Sequence, residues 1–246
     1  MRWLRYFFKC LLAGFIAIQI YFVIQVGIWS VVNPSSTAFQ RAERWRLCGL
    51  HWSCSIQSSW VPYEKISANL KRAVLVSEDD IFFQHMGVRV EDMQKAWAKN
   101  TQQNSGKSKT ALRGGSTITQ QLAKNLFLSS EQNYFRKGQE LIIAGLLETI
   151  LSKERLYEIY LNSVEWGEGI FGIGAASQHY YGIKPASLDR EQAAALASAL
   201  PAPKCFDKVR YCRKANIHFP TRQEFILENM DRVALAPNKK SKTSKN

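Results

Sequence analysis

The sequence has little that would build a sheet or a metal centre. No run of alternating apolar and polar residues is long enough for an ordinary strand, and no segment repeats. All-β architectures and solenoids are therefore excluded, and the chain reads as nearly all-α. No C-x2-C pair stands at ligand spacing from further Cys or His, which removes a structural zinc site. Charge is absent from Leu11 to Val32, where only Gln19, Gln25 and Ser30 are clearly polar. At roughly 1.5 Å per residue this run reaches about 33 Å, the thickness of a bilayer's hydrocarbon core. No A-x-A cleavage pattern follows it, so it reads as a retained transmembrane helix.

Arg2, Arg5 and Lys9 precede that run. By the positive-inside rule they keep residues 1–10 in the cytoplasm, and 11–32 then cross the membrane. Residues 33–61, polar and Trp-rich, read as a membrane-proximal linker, 62–236 as one domain, and 237–246 as a basic disordered tail. Lys and Arg number 33 against 20 Asp and Glu, a formal charge of +13, which suits an anionic partner. An exported domain rarely meets nucleic acid, so anionic headgroups and diphosphate-linked substrates remain. Of the five cysteines, Cys48 lies close to Cys54 and Cys205 close to Cys212. Short-loop disulfides fit an oxidising compartment, although spacing does not fix the pairing.

Helical periodicity begins near Pro62. Leu70, Ala73, Val74 and Val76 form an apolar face that leads to Glu78-Asp79-Asp80. Further helices are expected over Val88–Ala98, Ile118–Leu128, Tyr134–Leu151, Lys153–Asn162, Ala175–Tyr181, Arg190–Leu200 and Thr221–Ala234. Lys99–Lys109, rich in Gln, Asn, Ser and Lys, is expected to be a mobile loop. Gly167, Gly169, Gly172 and Gly174 read as a turn region.

Three polar clusters sit at apolar helix boundaries. Glu78 follows an apolar run and precedes Phe82, Phe83 and His85. A carboxylate against such aromatic walls is suited to act as a general base. Taken alone, an acidic triplet is more often a solvated helix end. In Gly114-Gly115-Ser116-Thr117-Ile118-Thr119-Gln120-Gln121-Leu122-Ala123-Lys124 the Ser-Thr pair can cap a helix whose N–H groups suit an anion. Gln120, Gln121 and Lys124 add amides and a cation. Glu140 closes Arg136-Lys137-Gly138-Gln139-Glu140, where Arg136 and Glu140 share one helix face. Two carboxylates in one cleft suit glycosidic chemistry, and Lys124, Arg136 and Lys137 would stabilise a diphosphate leaving group. His85 reads as structural. For Asn162 helix capping is the plain alternative to binding, and Trp166 suits either a sugar face or the core.

In this order the clusters resemble glycosyltransferase family 51, the peptidoglycan glycosyltransferases. The motifs are Glu78-Asp79-x-x-Phe82-x-x-His85-x-Gly87, Gly114-Gly115-Ser116-Thr117-Ile118-Thr119-Gln120-Gln121, Arg136-Lys137-x-x-Glu140, and Lys153-x-x-x-x-Glu158-x-Tyr160-Leu161-Asn162. Gly167-x-Gly169-x-x-Gly172 and Ala175-Ala176-x-x-x-Tyr180-Tyr181-Gly182 follow. The resemblance spans roughly residues 62–203. It implies a mostly α, lysozyme-like fold with a membrane-facing subdomain. The implied activity is polymerisation of lipid II onto a nascent glycan chain at the periplasmic face of the bacterial inner membrane, with release of undecaprenyl diphosphate. Glu78 carries over as general base and Glu140 as the second carboxylate, which assists diphosphate departure directly or through Mg2+ or Mn2+. Ser116, Gln120, Gln121, Lys124, Arg136 and Asn162 carry over as substrate-binding or site-shaping residues. The segment near 96–113 corresponds to the family's mobile loop, whose Lys107, Lys109 and Arg113 would reach phosphates. Other cell-wall synthases are compatible partners. No S-x-x-K or K-T-G motif occurs, so no transpeptidase function is expected. Two departures stand out: Gln132-Asn133 where the family often has a diphosphate-binding arginine, and Arg89 where it usually has an acid. A hydrolase on a similar fold and a non-catalytic scaffold are the rival readings. The membrane anchor and cations argue against the first, and the two glutamates against the second.

Overall fold

The computed structural model describes residues 2–51, 54–89, 116–129, 131, 133–208, 212 and 218–235. Gln132, Gly114-Gly115, most of the helix expected over Val88–Ala98, the loop 96–113 and the tail 237–246 lie outside them. The described part is predominantly helical. In chain order the helices are α1 (Arg2–Trp29), α2 (Ala38–His51), α3 (Ala68–Glu78), α4 (Ile118–Phe127), α5 (Tyr134–Ile150) and α6 (Lys153–Ser163). They continue with α7 (Gly172–Tyr181), α8 (Arg190–Ala199), α9 (Pro203–Asp207) and α10 (Phe219–Asn229).

α1 is long and apolar enough to cross a membrane. At roughly 1.5 Å per residue its 28 residues reach about 42 Å. It takes in the basic residues expected to form a tail and ends before Val32. Ser30 folds its hydroxyl back onto the Gly27 carbonyl at 2.7 Å, and Pro34 follows, which cannot continue a helix. Phe22, Val26 and Trp29 are buried, while Ile16, Ile20, Ile24 and Ile28 stay exposed.

The expected linker is a folded element instead. Thr37 and Gln40 cap α2 reciprocally, with Gln40 N–H donating to Thr37 Oγ1 at 3.1 Å and Thr37 N–H to Gln40 Oε1 at 2.9 Å. Thr37, Gln40, Glu43 and Leu47 form its buried stripe. Glu43 is matched by Arg46 at 2.6 Å and by Lys204 of α9 at 2.6 Å, and Arg46 also reaches Glu168 at 2.9 Å. Cys48–Cys54 and Cys205–Cys212 are disulfide-bonded, and Cys10 is free.

The glycine-rich stretch supplies two strands of a small sheet that the sequence did not announce. Its strands are β1 (Gln57–Ser58), β2 (Glu165–Gly167) and β3 (Ile170–Phe171), in the order β1-β3-β2. β1 runs parallel to β3, pairing Gln57 with Ile170, and β2 runs antiparallel to β3. Gly172 adopts φ +76°, and a Cβ there would lie 2.5 Å from the Asn162 carbonyl oxygen, so only glycine serves.

The core joins α3, α4, α5, α6, α7 and α8 through Leu70, Leu75, Leu122, Ile143, Leu147, Tyr157, Tyr160, Ile173 and Leu196. Trp166 belongs to it, fully buried, and so offers no face to a sugar. The caps are local and readable. Ser67, Thr117, Asn133, Ser152 and Asp189 each accept an N–H from the first turn of α3, α4, α5, α6 and α8 respectively.

Candidate active site

The acidic triplet divides into three environments. Glu78 is the last residue of α3, and its side chain is 11% exposed. Its Oε2 accepts from Gln121 Nε2 at 2.8 Å. Its Oε1 lies 2.8 Å from the Ser77 hydroxyl and 3.3 Å from an Arg222 amino group. Gln121 in turn accepts from the buried Tyr160 hydroxyl at 3.1 Å, so its amide is held in one orientation. Arg222 of α10 also reaches Ser77 Oγ at 2.9 Å and the Ser77 carbonyl at 3.2 Å. Sequence reasoning missed Arg222, because it comes from a terminal helix that carries no motif.

Asp79 is structural. Its buried carboxylate accepts from the Ile118 N–H at 3.1 Å and meets His85 Nε2 at 2.9 Å. The negative charge sits at the N-terminus of α4, where it is favourable. With Thr117 Oγ1 accepting from Gln120 N–H at 3.2 Å, protein groups already occupy the helix end expected to suit an anionic ligand. His85 is accordingly a structural histidine. Asp80 pairs with Arg89 at 3.2 Å, which gives the departure at Arg89 a local role.

The two adjacent glutamines also diverge. Gln120 is fully buried and completes the capping box by accepting the Thr117 N–H at 3.3 Å. It shapes the site without facing it. Gln121, about 100° further round the helix, faces Glu78.

α5 supplies the second carboxylate. Glu140 is 3% exposed. Its Oε2 accepts from Arg136 at 2.7 Å and its Oε1 from the Lys137 ammonium, which also stands 3.4 Å from Ser116 Oγ. Lys124 of α4 feels the charge of both glutamates. Burial pushes its pKa below the ordinary lysine value, Glu140 and Glu78 oppose that, and Arg136 and Lys137 add to it. Its ammonium lies 5.6 Å from the centre of the Phe39 ring, so α2 forms the floor beneath this cation. Three cations to one carboxylate leave this wall positive, the arrangement a departing diphosphate requires.

The Asn162 side chain is engaged elsewhere. Its Oδ1 accepts the Val61 N–H at 2.7 Å, and its Nδ2 donates to the Val61 and Glu158 carbonyls at 2.9 and 2.8 Å. Its side chain is spent on holding the segment before α3 against α6. The structure therefore brings together Glu78, Gln121, Lys124, Ser116, Arg136 and Glu140, and sets Gln120 and Asn162 behind them as framework.

The transglycosylase family profile matches residues 50–231, and so begins inside the stretch read from sequence as a linker. A biosynthetic peptidoglycan transglycosylase of Cupriavidus metallidurans is 56% identical over 236 residues, covering 96% of this chain and 99% of its own. One from Ralstonia nicotianae is 53% identical over 239 residues, covering 97% of this chain and all of its own. One from Burkholderia thailandensis is 51% identical over 209 residues, 85% of this chain and 80% of its own. The mostly helical, lysozyme-like fold expected from the motifs agrees with these matches. By a profile that covers most of its length, and by relatives at half identity along nearly all of it, the chain belongs to the transglycosylase family.

Proposed function

We propose that this chain polymerises lipid II into glycan strands and releases undecaprenyl diphosphate, at the periplasmic face of a bacterial inner membrane with its N-terminus in the cytoplasm. The observation that carries this reading is the pairing of two unlike carboxylates. Glu78 is oriented by neutral and cationic donors, while Glu140 sits inside a wall of cations, and Lys124 feels the charge of both.

The chemistry follows from that asymmetry. The acceptor sugar's 4-hydroxyl approaches Glu78, which takes its proton as the oxygen attacks the donor's anomeric carbon. The bond from that carbon to the diphosphate oxygen breaks on the opposite side, so configuration inverts. The electron pair and negative charge leave with the diphosphate and are met by Lys124, Arg136 and Lys137. Glu140 holds Arg136 and Lys137 pointed at that place. In this reading the described side chains hold no resident divalent cation. Among the described residues no group of three or more His, Cys, Asp or Glu converges, and both Glu140 oxygens already take a cation. Mg2+ or Mn2+ enters this reading only as a counter-ion carried in on the substrate's diphosphate.

The test is glycan polymerisation from labelled lipid II by the solubilised full chain, beside Glu78→Gln. The wild type is expected to make long strands, and the variant to lose about 10²–10⁴-fold in rate. Cleavage of finished glycan with no polymer from lipid II would replace the reading with a hydrolase. Full activity of Glu78→Gln would remove the base assignment.

A further inference from the structure

Gln19 lies in the middle of the apolar run, where an amide costs free energy unless it is paired. It is paired with the catalytic domain. Gln139 Nε2 of α5 donates to Gln19 Oε1 at 3.2 Å, and Gln19 Nε2 donates back to Gln139 Oε1 at 3.3 Å. The run's other polar residues do nothing comparable. Ser30 bonds back to Gly27 of α1, and Gln25 faces a small cavity beside Ser35, Ser36 and Arg41.

Two further contacts fix the outer half of α1. Phe22 and Trp29 both pack on Phe127 of α4, with ring centroids 4.9 Å apart in each case. Arg155 of α6 donates to the Trp29 and Val32 carbonyls, both at 2.9 Å, a cation at a helix C-terminus. The opposite face of α1 is exposed isoleucine, so lipid rather than water surrounds the joint, and the amide pair meets little competition from solvent.

These contacts have a pattern. Gln139 immediately precedes Glu140, and Phe127 lies one turn beyond Lys124. A single helix therefore touches both helices that carry the cations, each next to a charged residue of the diphosphate side. We infer that α1 is a positioning element for the reaction as well as an anchor, and that Gln19 and Gln139 are the positioning residues through which it sets where Glu140 and its cations stand. This rests on the polymerase reading above and adds to it a part for the membrane helix.

The experiment uses the full chain in phosphatidylethanolamine–phosphatidylglycerol vesicles with labelled lipid II. It compares wild type, Gln19→Leu, Gln139→Leu, the double variant, and Gln25→Leu as a control for adding leucine to α1. Each clasp variant is expected to lower kcat about three- to tenfold with KM little changed, because placement and not binding is lost. The double variant should be no worse than the worse single one, since both break one interaction, and Gln25→Leu should match wild type. Cysteines at positions 19 and 139, in a chain with Cys10→Ser, should be joined by a short thiol cross-linker, and the joined protein should stay active.

Unchanged kcat in both single variants overturns the proposal, as do losses that multiply in the double variant. A fall in thermal stability with kcat intact also overturns it, because a merely structural clasp would do only that. A wild type that makes no polymer removes the reaction the pair is said to serve, and the proposal falls with it. Cross-linking at 19 and 139 then distinguishes that failure from a clasp that never forms, since it needs no activity.

Discussion

Glu165, on β2, sets a pH dependence that can be worked out in advance. Its Oε1 is buried without a hydrogen-bond partner. The nearest cation, Lys204, stands 3.4 Å away but donates to Glu43 at 2.6 Å. Burial therefore pushes the Glu165 pKa from the ordinary 4.5 up to about 7; Lys204 pulls it down, Glu43 pushes it up, and the Gly169 backbone pulls it down. The folded chain then binds this proton more tightly than the unfolded chain does. The resulting stability is fully present below about pH 4.5 and is lost as pH rises through 7. The rise from 4.5 to about 7 corresponds to about 3 kcal/mol. For a chain of this size that is a fall of about 6–12 °C in unfolding midpoint. Glu165→Gln keeps the shape and removes the titration. It should match wild type near pH 4.5 and exceed it by that amount near pH 8.5. Thermal unfolding of both proteins in detergent, followed by tryptophan fluorescence at matched pH values, gives the difference curve and cancels every group they share. A difference that stays flat with pH, or that favours wild type on the alkaline side, would refute the reasoning.

Two further outcomes follow from the site and its frame. Lys124→Met should lower polymerisation about 10²-fold, as loss of one charge-stabilising group does. Its unfolding midpoint should stay level or rise, because the ammonium is held against a burial penalty; rate and melting measured on one preparation check both halves. Asn162→Ala leaves the half-buried Val61 N–H and carbonyl without their partner. It should cost about 1–3 kcal/mol of stability by denaturant titration while lipid II KM stays unchanged, and a raised KM would return Asn162 to the substrate-binding set.

The helices that carry the cleft were legible because pattern and caps agree. α4, α5 and α6 each begin at a capping Thr, Asn or Ser, and each has an apolar face that drives its burial. α2 escaped notice because much of its buried stripe is polar. Glu43 belongs inside only once Lys204 arrives from α9, a partner that no local window contains. A cap signal was nonetheless present in Thr37-x-x-Gln40. The sheet escaped because strands of two and three residues are too short to show a period. Arg222 escaped for the same reason as Lys204, since its partner Glu78 lies 144 positions away.

Within the cleft, the residues that sequence grouped together are those the fold separates. Glu78, Asp79 and Asp80 read as one acidic cluster. At the end of α3 they become a site carboxylate, a buried clamp on α4 and a surface ion pair. Gln120 and Gln121 read as one pair of amides, yet the oxygen of one is taken by a cap and the nitrogen of the other is aimed at Glu78. Gln139 and Glu140 part in the same way, toward the membrane helix and toward the cleft. The cause is elementary. A helix turns about 100° per residue, so neighbours in sequence belong to different faces, and only the packing partner decides which face holds the substrate. A motif therefore locates such a site to within a turn of helix. Assigning roles inside the motif requires the partners across the gap: Arg222 for Glu78, Lys124 for Glu140, and Gln19 for the residue beside it.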